Sequence, residues 1–303
     1  RDAHQGTPPH RGAGHVGEHV AVGAQDPRRV LGPLDVARRP VHPVGHPGGT
    51  KIRGAVADQG DVIQLKFLDQ NNRLEKQTGF MNPILPEDIA DLLHADIFVC
   101  VPITDYEVPL ETLKHIRNNS DATIIFDAHG PTNTVNVLGE RSIRFWVDRD
   151  MWLPYIDVLK MNLEESRCAW FQKEYDPNDL KPLHEVDTSH LDELAAHVLS
   201  HGVRSLIVTL DAGGSAVYHM SDGQVHKQIV PSISVADVVD TTGCGDSFAG
   251  GLGFGLLGDS ENYIRAAKYA NALGAQRTQG RTFDVFKCLS DTDAMIRAAY
   301  GSL

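Results

Sequence analysis

Residues 240–246 combine side chains and glycines that could carry phosphate chemistry. They read Asp-Thr-Thr-Gly-Cys-Gly-Asp and are followed at once by Ser-Phe-Ala-Gly-Gly. The β-branched residues of 235–239 favour a strand before this stretch, and the small apolar residues of 247–257 favour a buried helix after it. Gly243 and Gly245 let the chain bend and approach a ligand closely. The first free N–H groups of the helix then favour an anion.

Asp246 lies beside this predicted anion site. A carboxylate would repel a bound phosphate, so a simple ligand role is unfavourable. It can instead act as a general base that takes a proton from a hydroxyl attacking a phosphoryl group. The alternative is a glycine-rich turn before a core helix. Cys244 lies in the first turn of that helix, where the helix dipole is expected to lower the thiol pKa; the alternative there is a buried, inert thiol.

The same stretch closely resembles the C-terminal signature of the PfkB (ribokinase-like) family of carbohydrate and nucleoside kinases, typically Asp-Thr-x-Gly-Ala-Gly-Asp with a following Gly-Gly. Cys244 replaces the usual alanine, and the resemblance covers about residues 62–303. It implies an ATP-dependent phosphotransferase that acts on a hydroxyl of a sugar or nucleoside. Asp246 would be the base, and the N–H groups of Gly243, Cys244 and Gly245 would form the anion hole.

A second motif, Asn162-Leu-Glu-Glu165, follows a strand predicted over 158–161. It matches the Asn-x-x-Glu motif of the family, and the resemblance implies that Asn162 and Glu165 organise Mg²⁺. An amide and a carboxylate at the end of a strand can hold the water shell of this ion. The alternative is a helix N-cap by Asn162, with acidic residues in the first turn.

A third motif, at residues 209–214, resembles the Thr-x-Gly-x-x-Gly sequence that lies against the nucleotide in the family. Thr209 and Gly214 keep the pattern, whereas Asp211 replaces its first glycine. The competing interpretation is a β-turn between two strands. Asn271 and Gly274 fall where the family closes over the adenine, although both residue types are also common at helix ends.

The resemblance also bears on cations, assembly and activity. In many members of the family a monovalent cation, K⁺, is bound by backbone oxygens, and Asp240 and Thr242 are the corresponding candidates here. A homodimer formed through a small β lid is a further expectation. The rival hypothesis is a catalytically silent relative that binds nucleotide or a partner without turnover, which the unusual N-terminus and Asp211 motivate.

The chain beyond residue 51 alternates strands and helices, which predicts an α/β fold with a mostly parallel, doubly wound sheet flanked by helices. Alternating residues over 62–67 and 74–78 predict a hairpin, which the resemblance assigns to a lid near 62–80. We expect one kinase domain over 51–303. The sequence 253–258 satisfies Gly-x-Gly-x-x-Gly, but it lies inside a predicted helix and favours close helix packing.

Residues 1–50 differ from the rest of the chain in composition. They lack Lys, Ile, Asn, Ser, Met, Cys and all three aromatic residues, and they are crowded with Arg, Pro, Gly and six histidines. Two interpretations stay open: a disordered low-complexity extension, and a GC-rich gene segment read out of frame. Both predict irregular structure, and the family resemblance implies that the first strand and its sugar-binding residues are missing. The histidine spacings match no ligand pattern.

The overall composition narrows the class of protein. The chain has 303 residues, of which 41% are hydrophobic and 22% charged, and a net charge of −12. This charge argues against nucleic acids and anionic membranes as main partners. The four cysteines form no Cys-x-x-Cys pair, which favours reduced thiols in a cytoplasmic protein.

Overall fold

The computed structural model describes residues 19–22, 62–67, 73–170 and 187–303. The strands in these ranges are β1 (His19–Val22), β2 (Val62–Phe67), β3 (Arg73–Gly79), β4 (Ile97–Cys100), β5 (Thr123–Asp127), β6 (Asn133–Val135), β7 (Arg141–Ile143), β8 (Val158–Asn162), β9 (Ser205–Thr209), β10 (Ser215–Ser221) and β11 (Gln224–Val230). The α-helices there are α1 (Leu110–Asn119), α2 (Arg149–Trp152), α3 (Leu163–Ala169), α4 (Leu191–Ser200), α5 (Cys244–Leu256), α6 (Tyr263–Arg277) and α7 (Leu289–Tyr300). Short 3₁₀ turns cover Pro86–Leu92, Leu153–Tyr155, Asp211–Gly213 and Phe283–Val285.

The main sheet has the strand order β11-β10-β9-β8-β5-β4. Strands β4, β5, β8 and β9 run parallel, while β10 pairs antiparallel with both β9 and β11. Strand β5 is buried along its whole length because helices cover both faces of the sheet. The predicted mostly parallel, doubly wound sheet is therefore confirmed.

Two helical layers enclose this sheet. On one face, α1 and α4 pack their apolar residues, such as Leu113 and Leu194, into the larger core cluster. On the other face, α5 and α6 supply Phe248, Leu252 and Ala266. Within the described ranges, no helix is both long enough and apolar enough to cross a bilayer.

Glycines in α5 allow this close packing. A Cβ added to Gly255 would lie 2.4 Å from Cα of Ala266 in α6, and one added to Gly253 would lie 2.8 Å from Cγ2 of Val99 in β4. Both distances are shorter than any normal contact. The Gly-x-Gly-x-x-Gly sequence therefore serves helix packing, as predicted.

A small antiparallel sheet with the order β1-β2-β3 contains the predicted hairpin. Strands β2 and β3 pair along their length, with Val62 opposite Gly79 and Phe67 opposite Arg73. A second hairpin, β6-β7, adjoins β3 where the Gln77 N–H donates to the Gly139 carbonyl at 2.7 Å. Leu65 is buried, whereas Leu74 is exposed. This pattern agrees with the half-exposed hairpin expected from the alternation.

The N-terminal segment contributes β1 to this small sheet, antiparallel to β2. The prediction of irregular structure over 1–50 is therefore wrong at His19–Val22, because the exposed edge of β2 offers a backbone partner that composition does not report. The other residues of 1–50, and residues 51–61, lie outside the described residues. The division into segments 1–50 and 51–303 stays a prediction.

The strand predicted over 235–239 is also wrong. These residues form an extended loop between β11 and α5. Val238 and Val239 are about half exposed, and the Val239 N–H donates to the Thr278 carbonyl after α6. The β-branched composition was misleading because no strand in the described part of the chain pairs with this segment.

Candidate active site

The carboxyl ends of three neighbouring parallel strands bring candidate residues together. Asp127, Asn162 and Thr209 are the last residues of β5, β8 and β9. The N-terminus of α5 lies over the same edge, since Gly245 in its first turn is next to the Lys160 side chain of β8. Ligands of open α/β sheets bind at this edge.

The turn at the start of α5 depends on Gly243. This residue has φ +81°, a left-handed conformation that favours glycine, and it is the N-cap of the helix. The Cys244 N–H donates to the Thr241 carbonyl at 3.2 Å, a long bond within the turn. Asp246, in the first turn of α5, is exposed, and its Oδ2 lies 3.8 Å from where a Cβ on Gly243 would be.

Two cationic side chains flank this turn. A Cβ added to Gly245 would lie 3.3 Å from Nζ of Lys160, and one added to Gly243 would lie 3.2 Å from Nε of Arg277. Arg277 also lies 3.5 Å from Oδ2 of Asp240. The start of α5 therefore combines helix N–H groups with two nearby positive charges, and this combination favours a phosphate.

Lys160 is itself held by a buried ion pair. Its Nζ lies 2.6 Å from Oδ2 of Asp127, and only 5% of the Lys160 side chain and 3% of the Asp127 side chain are exposed. Burial raises the pKa of Asp127, while the Lys160 charge opposes that rise. Burial alone would lower the pKa of Lys160, but the carboxylates of Asp127 and Glu165 raise it. Lys160 is therefore a fixed positive charge beneath Gly245.

Asn162 and Glu165 form the capping box that the alternative interpretation anticipated. Asn162 Oδ1 accepts from the Glu165 N–H at 2.7 Å, and Glu165 Oε2 accepts from the Asn162 N–H at 2.8 Å. Glu165 is 3% exposed, and its other oxygen lies 2.9 Å from Nδ1 of His129. Burial raises the pKa of Glu165, but His129 and Lys160 outweigh that effect and hold it below its ordinary value.

His129 connects this box to the small sheet. Its Nε2 lies 2.9 Å from the Arg141 guanidinium, which also contacts Glu75 at 3.1 Å on β3. Burial lowers the pKa of His129, yet the hydrogen bond to Glu165 raises it above its ordinary value. A chain of charged groups therefore runs from β3 to the start of α3.

The third motif follows β9 as a 3₁₀ turn over Asp211–Gly213. Asp211 has φ +49°, the left-handed region that the family's glycine would adopt freely. Aspartate tolerates this region better than most residues, so the replacement keeps the backbone turn. Gly214 is irreplaceable here, because its Cβ would lie 2.1 Å from the Val230 carbonyl oxygen.

The other predicted residues lie around α6 and the loop before α5. The Asn271 side chain donates to the carbonyls of Val230 and Pro231, which ties α6 to the end of β11. Gly274 passes beneath the start of α5, where its Cβ would lie 3.8 Å from the Cys244 carbonyl oxygen. Thr242 donates its N–H to Oδ1 of Asp240 at 2.9 Å, which closes the loop before α5.

The predicted lowering of the Cys244 pKa is wrong. Burial raises the pKa of this half-buried thiol, and the carboxylates of Asp240 and Asp246 add to the rise, whereas Arg277 opposes it. The sequence shows the helix start and both carboxylates, but not the burial of the thiol, which is the largest cause of the rise.

Lys160, Arg277 and Arg141 were missed as site residues. For Lys160 a signal was available, because it is a charged residue within the otherwise apolar strand Val158–Asn162. Lysines are almost never fully buried unless they are paired. Arg277 and Arg141 carried no comparable signal.

Comparison with known proteins identifies the family of this chain. Residues 75–282 match the family model described as pfkB family carbohydrate kinase. The chain belongs to the PfkB family. A ribokinase of Lactococcus lactis subsp. lactis (strain IL1403) is 30% identical to it over 227 residues, which are 74% of this chain and 63% of the relative. Adenosine kinase 2 of Arabidopsis thaliana is 25% identical over 158 residues, which are 50% of this chain and 43% of the relative.

The family fold is also seen among solved structures. The crystal structure of ribokinase from Thermotoga maritima matches with a TM-score of 0.55 at 20% identity, covering 78% of this chain and 69% of that one. The chain thus has the ribokinase-like fold. It spans 63% and 43% of the length of these two curated relatives.

Proposed function

We propose that this chain is an ATP-dependent kinase that phosphorylates a hydroxyl of a sugar or nucleoside. The observation that carries the proposal is that Asp246, in the first turn of α5, and Lys160, in β8, both lie at the start of α5. This point is over the carboxyl ends of β5, β8 and β9. A carboxylate, a buried cation and free helix N–H groups at one point suit phosphoryl transfer. The relatives named ribokinase and adenosine kinase support the substrate class.

In this proposal each group has one task. Asp246 takes the proton of the attacking hydroxyl, because it is an exposed carboxylate at the mouth of the site. The N–H groups of Gly243 and Gly245 form the anion hole, together with that of Cys244 once it leaves its long bond to the Thr241 carbonyl. Lys160 and Arg277 add positive charge against the growing negative charge on the transferred group. Lys160 serves this role because Asp127 and Glu165 keep it protonated.

The oxygen donors of Asn162 and Glu165 fit an Mg²⁺ site, since carboxylate and amide oxygens are the ligands this ion prefers. Both side chains are engaged in the capping box, so we propose that they hold the water shell of the ion rather than the ion itself. Bound Mg²⁺ would neutralise charge on the nucleotide phosphates. His129 fixes Glu165 in this orientation through its 2.9 Å hydrogen bond.

Thr209 and Gly214 are the residues we assign to ATP binding, together with Gly274 beneath the start of α5. Asn271 takes an indirect part, because its side-chain NH₂ group is used by the Val230 and Pro231 carbonyls. The backbone oxygens of Asp240 and Thr242 stay the candidates for K⁺.

We further propose that the chain forms a homodimer through the lid sheet β1-β2-β3, where Leu74 is 56% exposed. Light scattering that gives a monomer mass, or a dimer mass that Leu74→Glu leaves unchanged, would contradict this contact. We also propose a cytoplasmic location for the protein, since all four cysteines are free thiols.

The test of function is ATP turnover over a panel of sugars and nucleosides with the Asp246→Asn variant. This change keeps the shape of the side chain and removes the proton acceptor. We expect turnover to fall by about two to four orders of magnitude, with ATP binding largely kept. Asp237→Asn is the matched control, because Asp237 is an exposed carboxylate in the loop before the motif.

Near-normal turnover in Asp246→Asn would remove Asp246 from the mechanism. If the wild-type chain binds ATP but turns over none of the panel, the catalytically silent alternative holds instead. The observation that supports this alternative is Asp211, which replaces the first glycine of the family's nucleotide motif.

A further inference from the structure

A second cluster of chemically active side chains lies away from the proposed kinase site. Asp150 belongs to α2, which leads through the turn Leu153–Tyr155 into the amino end of β8. His197 and His201 lie near the C-terminus of α4, just before β9 begins. The cluster is therefore at the amino ends of the parallel strands, whereas the kinase site is at their carboxyl ends.

The two histidines are spaced four residues apart on one face of the helix. Their ring centroids are 4.3 Å apart. Nδ1 of His201 lies 2.8 Å from the His197 carbonyl oxygen, and because a carbonyl only accepts, this nitrogen carries the proton. The Nε2 of His201 therefore keeps its lone pair. A backbone hydrogen bond of this kind is the usual partner of a metal-binding imidazole.

Nε2 of His197 points at the carboxylate. It lies 2.8 Å from Oδ1 of Asp150 and 2.9 Å from a guanidinium nitrogen of Arg149. One ring nitrogen cannot accept from the guanidinium and donate to the carboxylate at the same time. Either Nε2 carries a proton that it donates to Oδ1, or its lone pair accepts from Arg149, and a bound metal would replace that proton or that guanidinium N–H at Nε2.

Arg149 supplies positive charge to the cluster from the buried side. Its Nε donates to Oδ1 of Asp150 at 2.8 Å, and another of its nitrogens donates to the Ala169 carbonyl. Only 9% of the Arg149 side chain is exposed, whereas 49% of the Asp150 side chain is. The solvent side of the cluster thus remains open to a second cation.

We propose that Asp150, His197 and His201 form a binding site for a divalent transition metal of the Zn²⁺ class. One ligand atom from each of the three residues lies within 4.8 Å of the others. Two imidazole nitrogens and one carboxylate oxygen are a common ligand set for Zn²⁺ and a poor one for Mg²⁺. Water would complete the tetrahedron. The metal would join α2 to α4 and stabilise the fold, because these three ligands come together only in the folded chain.

The test is calorimetric titration of the metal-free full chain with ZnCl₂, in the presence of excess Mg²⁺. We expect the variants His201→Gln and Asp150→Asn each to weaken one Zn²⁺-binding event by about tenfold or more. Zn²⁺ should raise the Tm of the wild type and not that of the variants. Asp150→Asn keeps the test decisive if His201→Gln fails to fold, since Asp150 is largely exposed.

His219→Gln is the matched control. His219 stacks on His226 across β10 and β11 with ring centroids 5.8 Å apart. This variant tests whether any pair of neighbouring histidines is enough to bind Zn²⁺. We expect this variant to bind Zn²⁺ like the wild type. Absence of Zn²⁺ binding in the wild type overturns the proposal. So does binding that both cluster variants leave unchanged, which would assign the metal to other histidines, such as those of residues 1–50.

Discussion

The ion pair between Lys160 and Asp127 allows a quantitative prediction about stability. The two groups are 2.6 Å apart, and both side chains are at most 5% exposed. Replacing Lys160 by Met keeps most of the side-chain volume but leaves the Asp127 carboxylate buried without its partner. Breaking a buried pair in this way costs about 3–5 kcal/mol of the free energy of unfolding.

An exposed ion pair of the same chemistry is the control. Lys227 and Asp192 are 2.7 Å apart, but their side chains are 39% and 67% exposed. Such surface pairs contribute about 0–1 kcal/mol. Lys227→Met should therefore lower the free energy of unfolding by no more than about 1 kcal/mol, so the contrast between the two variants isolates burial.

The loss in Lys160→Met should also depend on pH. Burial already raises the folded-state pKa of Asp127, and without Lys160 this pKa rises further. An acid whose folded pKa is raised loses stability as the pH climbs from its unfolded pKa, about 3.9, towards the folded value. The difference between variant and wild type should therefore be smaller near about pH 4 and larger near about pH 7.

Urea denaturation followed by the fluorescence of the buried residues Trp146 and Trp152 measures both effects. A loss in Lys160→Met no larger than that in Lys227→Met would refute the reasoning. A loss that is the same at both pH values would also refute it, because the destabilisation would then not come from the unpaired carboxylate. The double variant Asp127→Leu/Lys160→Met should recover part of the loss, since it removes the buried charge.

Two further predictions concern packing and titration. Gly255→Ala places a Cβ 2.4 Å from Ala266 and should lower the free energy of unfolding by about 1–3 kcal/mol, or prevent folding. Gly250→Ala, in the same helix with nothing within 4 Å, should raise it by about 0.5–1 kcal/mol, and equal effects in chemical denaturation would contradict this packing. His129→Gln should lose more stability at acid than at alkaline pH, because the raised pKa of His129 means that its stabilisation is present below its unfolded pKa and lost as the pH rises through the folded one. Thermal denaturation at two pH values checks this, and a pH-independent loss would contradict it.

The elements of the main sheet were predictable from local patterns. The strand predicted over 158–161 is β8, which begins at Val158 as expected and ends one residue later, at Asn162. Apolar runs, glycine stops and helix starts are signals that lie within a few residues of the element they specify. The signature at 240–246 was readable for the same reason, because a turn and a helix start are local structures.

The electrostatics of the candidate site were decided by the tertiary structure. Lys160 meets Asp127 across 33 residues of sequence, and His129 meets Glu165 across 36. These contacts exist because β5 and β8 are neighbours in the sheet, and sheet order is not a property of any single segment. The raised pKa of Cys244 also depends on the packed structure, since its largest cause is burial of the thiol, which the sequence position does not show.

The loop over 235–239 shows that a local sequence pattern can predict an element that the fold does not form. Its β-branched residues have strand propensity, yet a strand requires a partner edge, and among the described residues no strand pairs with this segment. Sequence by itself determined the α/β class, the family and the turn that carries Asp246. The tertiary structure decided which charges meet at that turn, because ion pairing depends on distances that only the packed sheet sets.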